Sequence, residues 1–224
     1  MAYGNDLITR AQNAWNRAKV TTGNFTAFEA SCDDQDIKSG DADRDVATQL
    51  ESAFIAAVYL YEATGLAEFK TFVEGNYTSV RPQSINWWGP YWAPVQTALL
   101  RYAAMPSADP SVANNIRAQK SGMNYMASIT DYNAQTDLYR AHKPDAQYHW
   151  GSNQVHSNCA NMNLDFVTFD VNPNDKTLYK EVAQQYIHWL HGVNPMSSVM
   201  LSNMEAFGAD KSIDEVYHTW LAHN

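Results

Sequence analysis

Apolar residues recur every three or four positions along most of this 224-residue chain. No segment shows the sustained two-residue alternation that marks a half-buried strand. The spacing therefore predicts an all-α fold in which strands are minor. Seven segments carry a helical apolar face: Leu7–Ala18, Leu50–Tyr61, Leu66–Val73, Val95–Tyr102, Val112–Met126, Ser152–Phe169 and Leu178–Trp189.

Residues with helix-terminal preferences support these segments. Asn5 is predicted to cap the first helix, Gly65 to end the second, and Asp109-Pro110 to start the fifth with a cap and a first-turn proline. Seven helices in antiparallel succession predict a toroid of helix hairpins rather than a four-helix bundle. We interpret residues 1–224 as one domain. The odd number of helices predicts an incomplete toroid, whose exposed apolar faces would promote self-association.

Charge and motif content exclude several classes of function. The formal net charge is −9, and no basic stripe is present that would bind nucleic acid phosphates. No apolar run approaches the roughly 20 residues of a membrane span, and the first residues lack the pattern of a signal peptide. Nucleotide-binding loops and the G-x-S-x-G motif of nucleophilic hydrolases are absent. We expect no nucleic acid or membrane partner and no cofactor.

A cluster of six aspartates lies between Ser31 and Asp45, in S-C-D-D-Q-D-I-K-S-G-D-A-D-R-D. It has three interpretations: a calcium-binding loop, a pair of catalytic carboxylates, or a solvated loop whose last aspartates cap the next helix. The spacing lacks the terminal bidentate Glu of an EF-hand. The solvated loop is the favoured interpretation, since carboxylates cap helix N-termini and favour their dipole.

Two pairs of metal-binding or redox residue types are also present. His188 and His191 are three residues apart, but no further ligands follow at zinc-site spacing. Both are therefore predicted to lie at a helix C-terminus, where a cation meets the dipole, and no metal site is predicted. Cys32 and Cys159 are compatible with one disulfide or with two free thiols.

Aromatic residues favour a carbohydrate ligand. The chain has 28 of them (7 Trp, 13 Tyr and 8 Phe), while only 17% of its residues are charged. Trp87, Trp88, Tyr91 and Trp92 occur beside Gly and Pro in one loop, and Trp150 precedes a helix. Sugar rings stack their C–H faces on such rings, while amides satisfy the hydroxyl groups. For each single Trp, packing in the core is the alternative.

Three motifs follow one another in the C-terminal part of the chain: Y-H-W-G-S-N at 148–153, H-G-V-N-P at 191–195 and E-V-Y-H-T-W at 215–220. Together with A-x-x-A-W at 11–15 and G-D-A-D at 40–43, they resemble the middle and C-terminal parts of glycoside hydrolase family 9. The resemblance implies an (α/α)6-barrel-like fold and inverting hydrolysis of β-1,4-glucan of the cellulose type.

The resemblance also implies one catalytic residue. His218 matches the histidine of the family's H-x-R signature, and would line the central sugar subsite. Trp220 replaces the arginine of that signature. From their types and neighbourhood, Trp150, Asn153, Tyr217 and Trp220 are predicted to bind the glycan.

The catalytic carboxylates of the family are not matched in this chain. The resemblance places the base in a D-A-G-D motif near the start of the domain and the acid in a glutamate beyond the histidine signature. G-D-A-D at 40–43 has similar letters in a middle-domain context, and six residues follow His218. We expect a segment of a secreted β-glucan hydrolase that is inactive alone. The alternatives are a non-catalytic glycan-binding helical module and a helical scaffold whose aromatics all lie in the core.

Overall fold

A computed structural model describes residues 2–22, 45–85, 89–122, 127–149 and 151–213. Within these ranges most residues are helical, so the prediction of an all-α fold is confirmed. The α-helices are α1 (Ala2–Thr22), α2 (Val46–Thr64), α3 (Ala67–Asn76), α4 (Ala93–Ala104), α5 (Pro110–Gly122), α6 (Ala127–Ala134), α7 (Ser152–Thr168) and α8 (Lys176–Leu190). Two short strands, β1 (Val199–Ser202) and β2 (Ser212–Ile213), pair in parallel. Contacts divide the chain into a first unit, Met1–Met123, and a second unit, Asn124–Asn224.

The first unit is built around α2. Phe54, Ala57 and Val58 on its apolar face are fully buried, and α3 and α4 pack against it. Each large apolar side chain buried in this way contributes about 2 kcal/mol to folding. Helix α1 joins the unit through Trp15, whose ring meets the Phe69 ring edge-on with centroids 5.4 Å apart. The helical spacing read from the sequence thus marks the faces that form this core.

Helix ends in the first unit follow local sequence signals. Asp45 caps α2 by accepting a hydrogen bond from the Thr48 amide at 2.7 Å, as the favoured interpretation of the last aspartates predicts. Gly65 ends α2 with φ +69°, a conformation that costs a residue with a side chain more than it costs glycine. The Asp109 carboxylate accepts from the amides of Ser111 and Val112 and starts α5.

Two details of the predicted helices are corrected. Asn5 does not cap α1, because the helix begins at Ala2 and the Asn5 carbonyl accepts from the Thr9 hydroxyl one turn later. Helix α6 was not predicted as a separate helix. Its buried residues Ile129 and Tyr132 form too short an apolar pattern to be distinguished by periodicity. The predicted extension of α5 to Met123 and Met126 lies outside the described residues.

The second unit is built on the hairpin of α7 and α8. The Phe166 ring near the end of α7 meets the Tyr179 ring near the start of α8, with centroids 5.0 Å apart and planes at 90°. At the opposite end, His156 early in α7 stacks on Trp189 late in α8. These two contacts show that the helices are antiparallel, as the short link between them predicts. Helix α6 packs on α8, where the Tyr132 hydroxyl donates to Glu181 at 3.3 Å.

Candidate substrate-binding site

The two motifs that flank the α7–α8 hairpin lie at the same end of it. Residues 148–149 and 151–153, called here the Tyr148 loop, lead into α7, and residues 191–195, called the Asn194 turn, follow α8. In an antiparallel pair, the start of the first helix lies beside the end of the second. The His156 and Trp189 rings stack there with centroids 3.9 Å apart and planes at 12°. The fold therefore brings together segments that are about 40 residues apart in sequence.

The Tyr148 loop presents aromatic and amide groups at the surface. Tyr148 is about half exposed, and Asn153 in the first turn of α7 is partly exposed. Among the described residues, Asn153 accepts a hydrogen bond from the Ser157 hydroxyl through its backbone carbonyl, at 2.9 Å. Gly151 turns the chain into α7 with φ +80°, which a residue with a side chain rarely adopts.

A buried lysine lies beneath this loop. Lys143 is 2% exposed, and its Nζ donates to the Ser152 carbonyl oxygen at 3.2 Å. The same Nζ lies 4.0 Å from the centre of the Tyr148 ring, within cation–π range. Burial lowers the pKa of Lys143 to about 8, so the ammonium form still dominates at neutral pH.

Three other titratable groups of this region, His156, Cys159 and Tyr186, are neutral at neutral pH. Burial, with a smaller effect from Lys143, lowers the pKa of His156 to about 4, so its imidazole is neutral. Burial raises the pKa of the Cys159 thiol to about 12 and raises the pKa of Tyr186 well above its usual value. The Tyr186 hydroxyl donates to the His142 carbonyl oxygen at 2.7 Å. Cys159 has no disulfide partner among the described residues, and Cys32 lies outside them.

The Asn194 turn is held by a single buried side chain. Asn194 Nδ2 donates to the carbonyl oxygens of Trp189 and Ser198 at 2.7 and 2.8 Å. Its Oδ1 accepts from the amides of Met196 and Ser198 at 3.1 and 3.3 Å. Gly192 has φ +103°, and a Cβ there would meet Val199 Cγ2 at 3.4 Å. The turn is therefore fixed both by the asparagine and by the glycine.

Exposed apolar side chains surround the Asn194 turn and continue after it. Val193 and Met196 are about half exposed, and Phe207 is 81% exposed. The chain near Phe207 is held by Ser212, whose Oγ accepts from the Met204 amide at 3.0 Å and donates to the Leu201 carbonyl oxygen. Such a surface of apolar groups between polar loops suits a ligand with both apolar faces and hydroxyl groups.

The histidines at the end of α8 agree with the prediction of a helix C-terminus. His188 is in the last turn, His191 follows the last helical residue, and both are exposed. No group of three or more potential metal ligands occurs in the part of the chain that the structure describes.

The first unit carries an aromatic turn of its own, Pro90–Trp92. Tyr91 is about half exposed, and the Arg81 guanidinium lies 5.2 Å from the centre of the Trp92 ring. Arg81 is anchored by the buried Glu51, whose carboxylate accepts from Arg81 Nε at 2.6 Å, from Nη2 at 3.0 Å and from the Arg81 amide at 3.1 Å. Trp87 and Trp88 lie outside the described residues.

Of the predicted site residues, the structure describes Asn153, which it places in the Tyr148 loop. Trp150, Tyr217, His218 and Trp220 lie outside the described residues, so their roles stay predictions. The aspartates before Asp45 are outside them as well.

Sequence reasoning missed two residues that support the loop, Lys143 and His156. No local pattern marks either as buried, because their burial arises from contacts with Tyr148 and Trp189.

Comparisons with known proteins give one result. A family model described as "Glycosyl hydrolase family 9" matches residues 1–224. Neither the curated proteins nor the solved structures gave a match. No described helix is long and apolar enough to cross a membrane.

Proposed function

Because this chain belongs to glycosyl hydrolase family 9, we propose that it supplies part of the substrate cleft of an enzyme that hydrolyses β-1,4-glucans of the cellulose type. The observation that carries the proposal is the common location of the Tyr148 loop and the Asn194 turn. Both motifs lie at one end of the α7–α8 hairpin, in a chain that matches the family model from end to end.

The chemistry of this end of the hairpin supports a neutral sugar ligand. Tyr148 presents an exposed ring, and Asn153 carries an amide of the kind that donates to and accepts from hydroxyl groups. The one buried charge of the region, among the described residues, is Lys143, and it is directed at Ser152 and Tyr148 rather than at solvent. Stacking and hydrogen bonding, rather than ion pairing, are what a glucan chain requires.

The proposed reaction is inverting. A carboxylic acid protonates the leaving glycosidic oxygen while a carboxylate removes a proton from water, which attacks the anomeric carbon from the opposite face of the sugar. The C–O bond to the leaving sugar breaks as the bond to water forms. We assign His218 to support of substrate or transition state, and Trp150, Asn153, Tyr217 and Trp220 to glycan binding.

The 224-residue chain alone is proposed to bind glucan without cleaving it. The family motifs that carry the acid and the base are not matched among residues 1–224, and neither proton transfer can occur without these groups. The polymeric substrate is extracellular, so we also propose that the parent protein is secreted. Self-association through exposed apolar faces remains part of the proposal and is tested by light scattering at several protein concentrations.

Calorimetry with cellohexaose tests the proposed function. We expect binding to the 224-residue chain, and about tenfold weaker binding by Asn153→Ala, because the ligand loses the hydrogen bonds of one amide. Asn161→Ala is the matched control, since Asn161 is an exposed asparagine later in the same helix. The absence of binding at millimolar cellohexaose would contradict the proposal.

Reducing-sugar release from soluble cellulose tests the claim of inactivity. Release by the purified 224-residue chain that is abolished by His218→Ala would show that the chain cleaves glucan by itself.

The alternative is a glycan-binding helical module without catalysis, which is favoured by the unmatched carboxylate motifs. Assay of the natural full-length chain that contains these residues separates the two. Hydrolysis by that chain supports the enzyme, and binding without hydrolysis supports the module.

A further inference from the structure

Lys143 occupies a costly position for a charged side chain. It is 2% exposed, and no carboxylate among the described residues lies within ion-pair distance of its Nζ. Burying an ammonium group without a counter-charge opposes folding, because the group loses its hydration. The aliphatic stem alone would fill the space. The contacts of the ammonium group must therefore explain why a lysine is buried at this position.

Both contacts of the ammonium are with the Tyr148 loop. Nζ donates to the Ser152 carbonyl oxygen at 3.2 Å and faces the Tyr148 ring at 4.0 Å. Between these two residues the chain turns through Gly151, whose φ is +80°. Glycine restrains the backbone less than a residue with a side chain would. One buried group thus connects the start of the loop to the first residue of α7.

We propose that Lys143 is a positioning residue that holds the Tyr148 loop in its glycan-binding conformation, at a cost in folding stability. The proposal rests on the proposed function, because it assigns a ligand to that loop. Lys143 itself is buried under Tyr148 and does not touch the sugar. It acts through Tyr148 and through Asn153, which directly follows the carbonyl that Lys143 binds.

This role predicts that ligand binding and stability respond in opposite ways to the loss of the charge. Lys143→Met keeps the length and apolar volume of the stem but removes the ammonium. The folded protein then no longer buries the Lys143 ammonium, and replacement of buried charges by apolar residues is often neutral or stabilising. The loop, however, loses its connection between Tyr148 and Ser152. A residue that served only the stability of the fold would lower binding and stability together.

The test compares Lys143→Met with Lys180→Met, which removes an exposed lysine from α8. We expect Lys143→Met to keep or raise the melting temperature, and to bind cellohexaose about tenfold more weakly, the effect of losing one charge-assisted hydrogen bond. Amide exchange in peptides that cover residues 148–155 should accelerate by about tenfold or more, with no change in peptides from the first unit. Lys180→Met should match the wild type in all three measurements.

Each other outcome overturns the proposal. A lower melting temperature or a failure to fold in Lys143→Met would show that the lysine serves the fold. Unchanged binding and unchanged exchange would show that the loop does not depend on it. If the wild type binds no cellohexaose, the proposed function fails, and the exchange measurement still decides whether Lys143 holds the loop.

Discussion

Each unit places an aromatic ring beside a cation, but the two cations are satisfied in different ways. In the first unit, Arg81 lies under Trp92 and is paired with the carboxylate of Glu51. In the second, Lys143 lies under Tyr148 with a carbonyl oxygen in place of a carboxylate, among the contacts that the structure describes. Hydrogen bonding to Glu51 raises the pKa of Arg81, whereas burial lowers the pKa of Lys143 to about 8. The paired cation supports its unit, while the unpaired one orders a loop and opposes folding.

The largest expected effect comes from breaking the pair. Glu51→Gln leaves Arg81 with a neutral partner in a largely buried position, and should lower the free energy of unfolding by about 3 kcal/mol. Glu62→Gln, which breaks the more exposed pair with Arg101, is the control and should cost less than about 1 kcal/mol. Urea unfolding measures both. If both variants lose the same free energy of unfolding, the Glu51–Arg81 pair stabilises the protein no more than the exposed Glu62–Arg101 pair does.

A second prediction concerns the neutral stack of the second unit. His156 has a pKa of about 4 when folded and about 6.5 when unfolded, so the unfolded state binds more protons between these values. The free energy of unfolding should therefore fall as the pH is lowered from about 6.5 to about 4, by at most about 3 kcal/mol from this residue. His156→Phe keeps a ring on Trp189 and should remove this part of the pH dependence.

His188→Gln, which changes an exposed histidine of α8, should keep the pH dependence of the wild type. An unchanged slope in His156→Phe would show that the buried imidazole is not the group that takes up the proton.

Asn194 tests whether an uncharged anchor is as strong as a charged one. Asn194→Ala removes four hydrogen bonds and leaves the buried Trp189 carbonyl with one partner fewer, so we expect a loss of about 2 kcal/mol in urea unfolding. Asn174→Ala, at an exposed position before α8, should change stability by less than about 0.5 kcal/mol. If Asn194→Ala loses as little stability as the control, the conformation of the turn depends on Gly192 rather than on Asn194.

The smallest expected effect has the same sign as that of His156 and occurs at higher pH. Lys143 has a pKa of about 8 when folded against 10.5 for the ordinary side chain, so the unfolded state binds more protons in this window. The contribution of Lys143 to stability should therefore rise with pH above about 8. Relative to Lys143→Met, the wild type should gain about 1–2 kcal/mol between about pH 7.5 and about pH 9.5.

The groups that face Lys143 do not obscure this window. The Tyr148 ring lies against its Nζ, and His156 and Cys159 on α7 interact with it electrostatically, while Asp137, Asp145 and Tyr186 interact with those three neighbours. The pKa of His156 is about 4, that of Cys159 is about 12, and burial raises the pKa values of Tyr148 and Tyr186. A gap between wild type and Lys143→Met that stays constant with pH would contradict the assignment.

Local chemistry explains which parts of the fold could be read from the sequence. Gly65 and Asp109 end and start their helices through bonds to neighbours within a few residues, so their types alone predict them. The α7–α8 hairpin has strong apolar periodicity and a short link, and was predicted with its buried Val182, Tyr186 and Trp189. The prediction that Asn5 caps α1 is wrong because asparagine is a common cap, whereas this helix begins three residues earlier, at Ala2.

The candidate site was predicted less completely, for a physical reason. The letters of the Tyr148 loop and the Asn194 turn are visible in the sequence, and Asn153 was predicted from them. What supports them is tertiary: Lys143 is an ordinary surface residue type until Tyr148 covers it, and His156 is polar until Trp189 stacks on it. Propensity and spacing carry no information about such contacts.

The direction of the α7–α8 hairpin has a practical consequence. Both recognition segments are at one end, and the link that contains the exposed Asn174 is at the other, a helix length away. A peptide tag inserted after Asn174 would therefore tether the protein to a sensor surface with the end proposed to bind glucan directed toward the analyte.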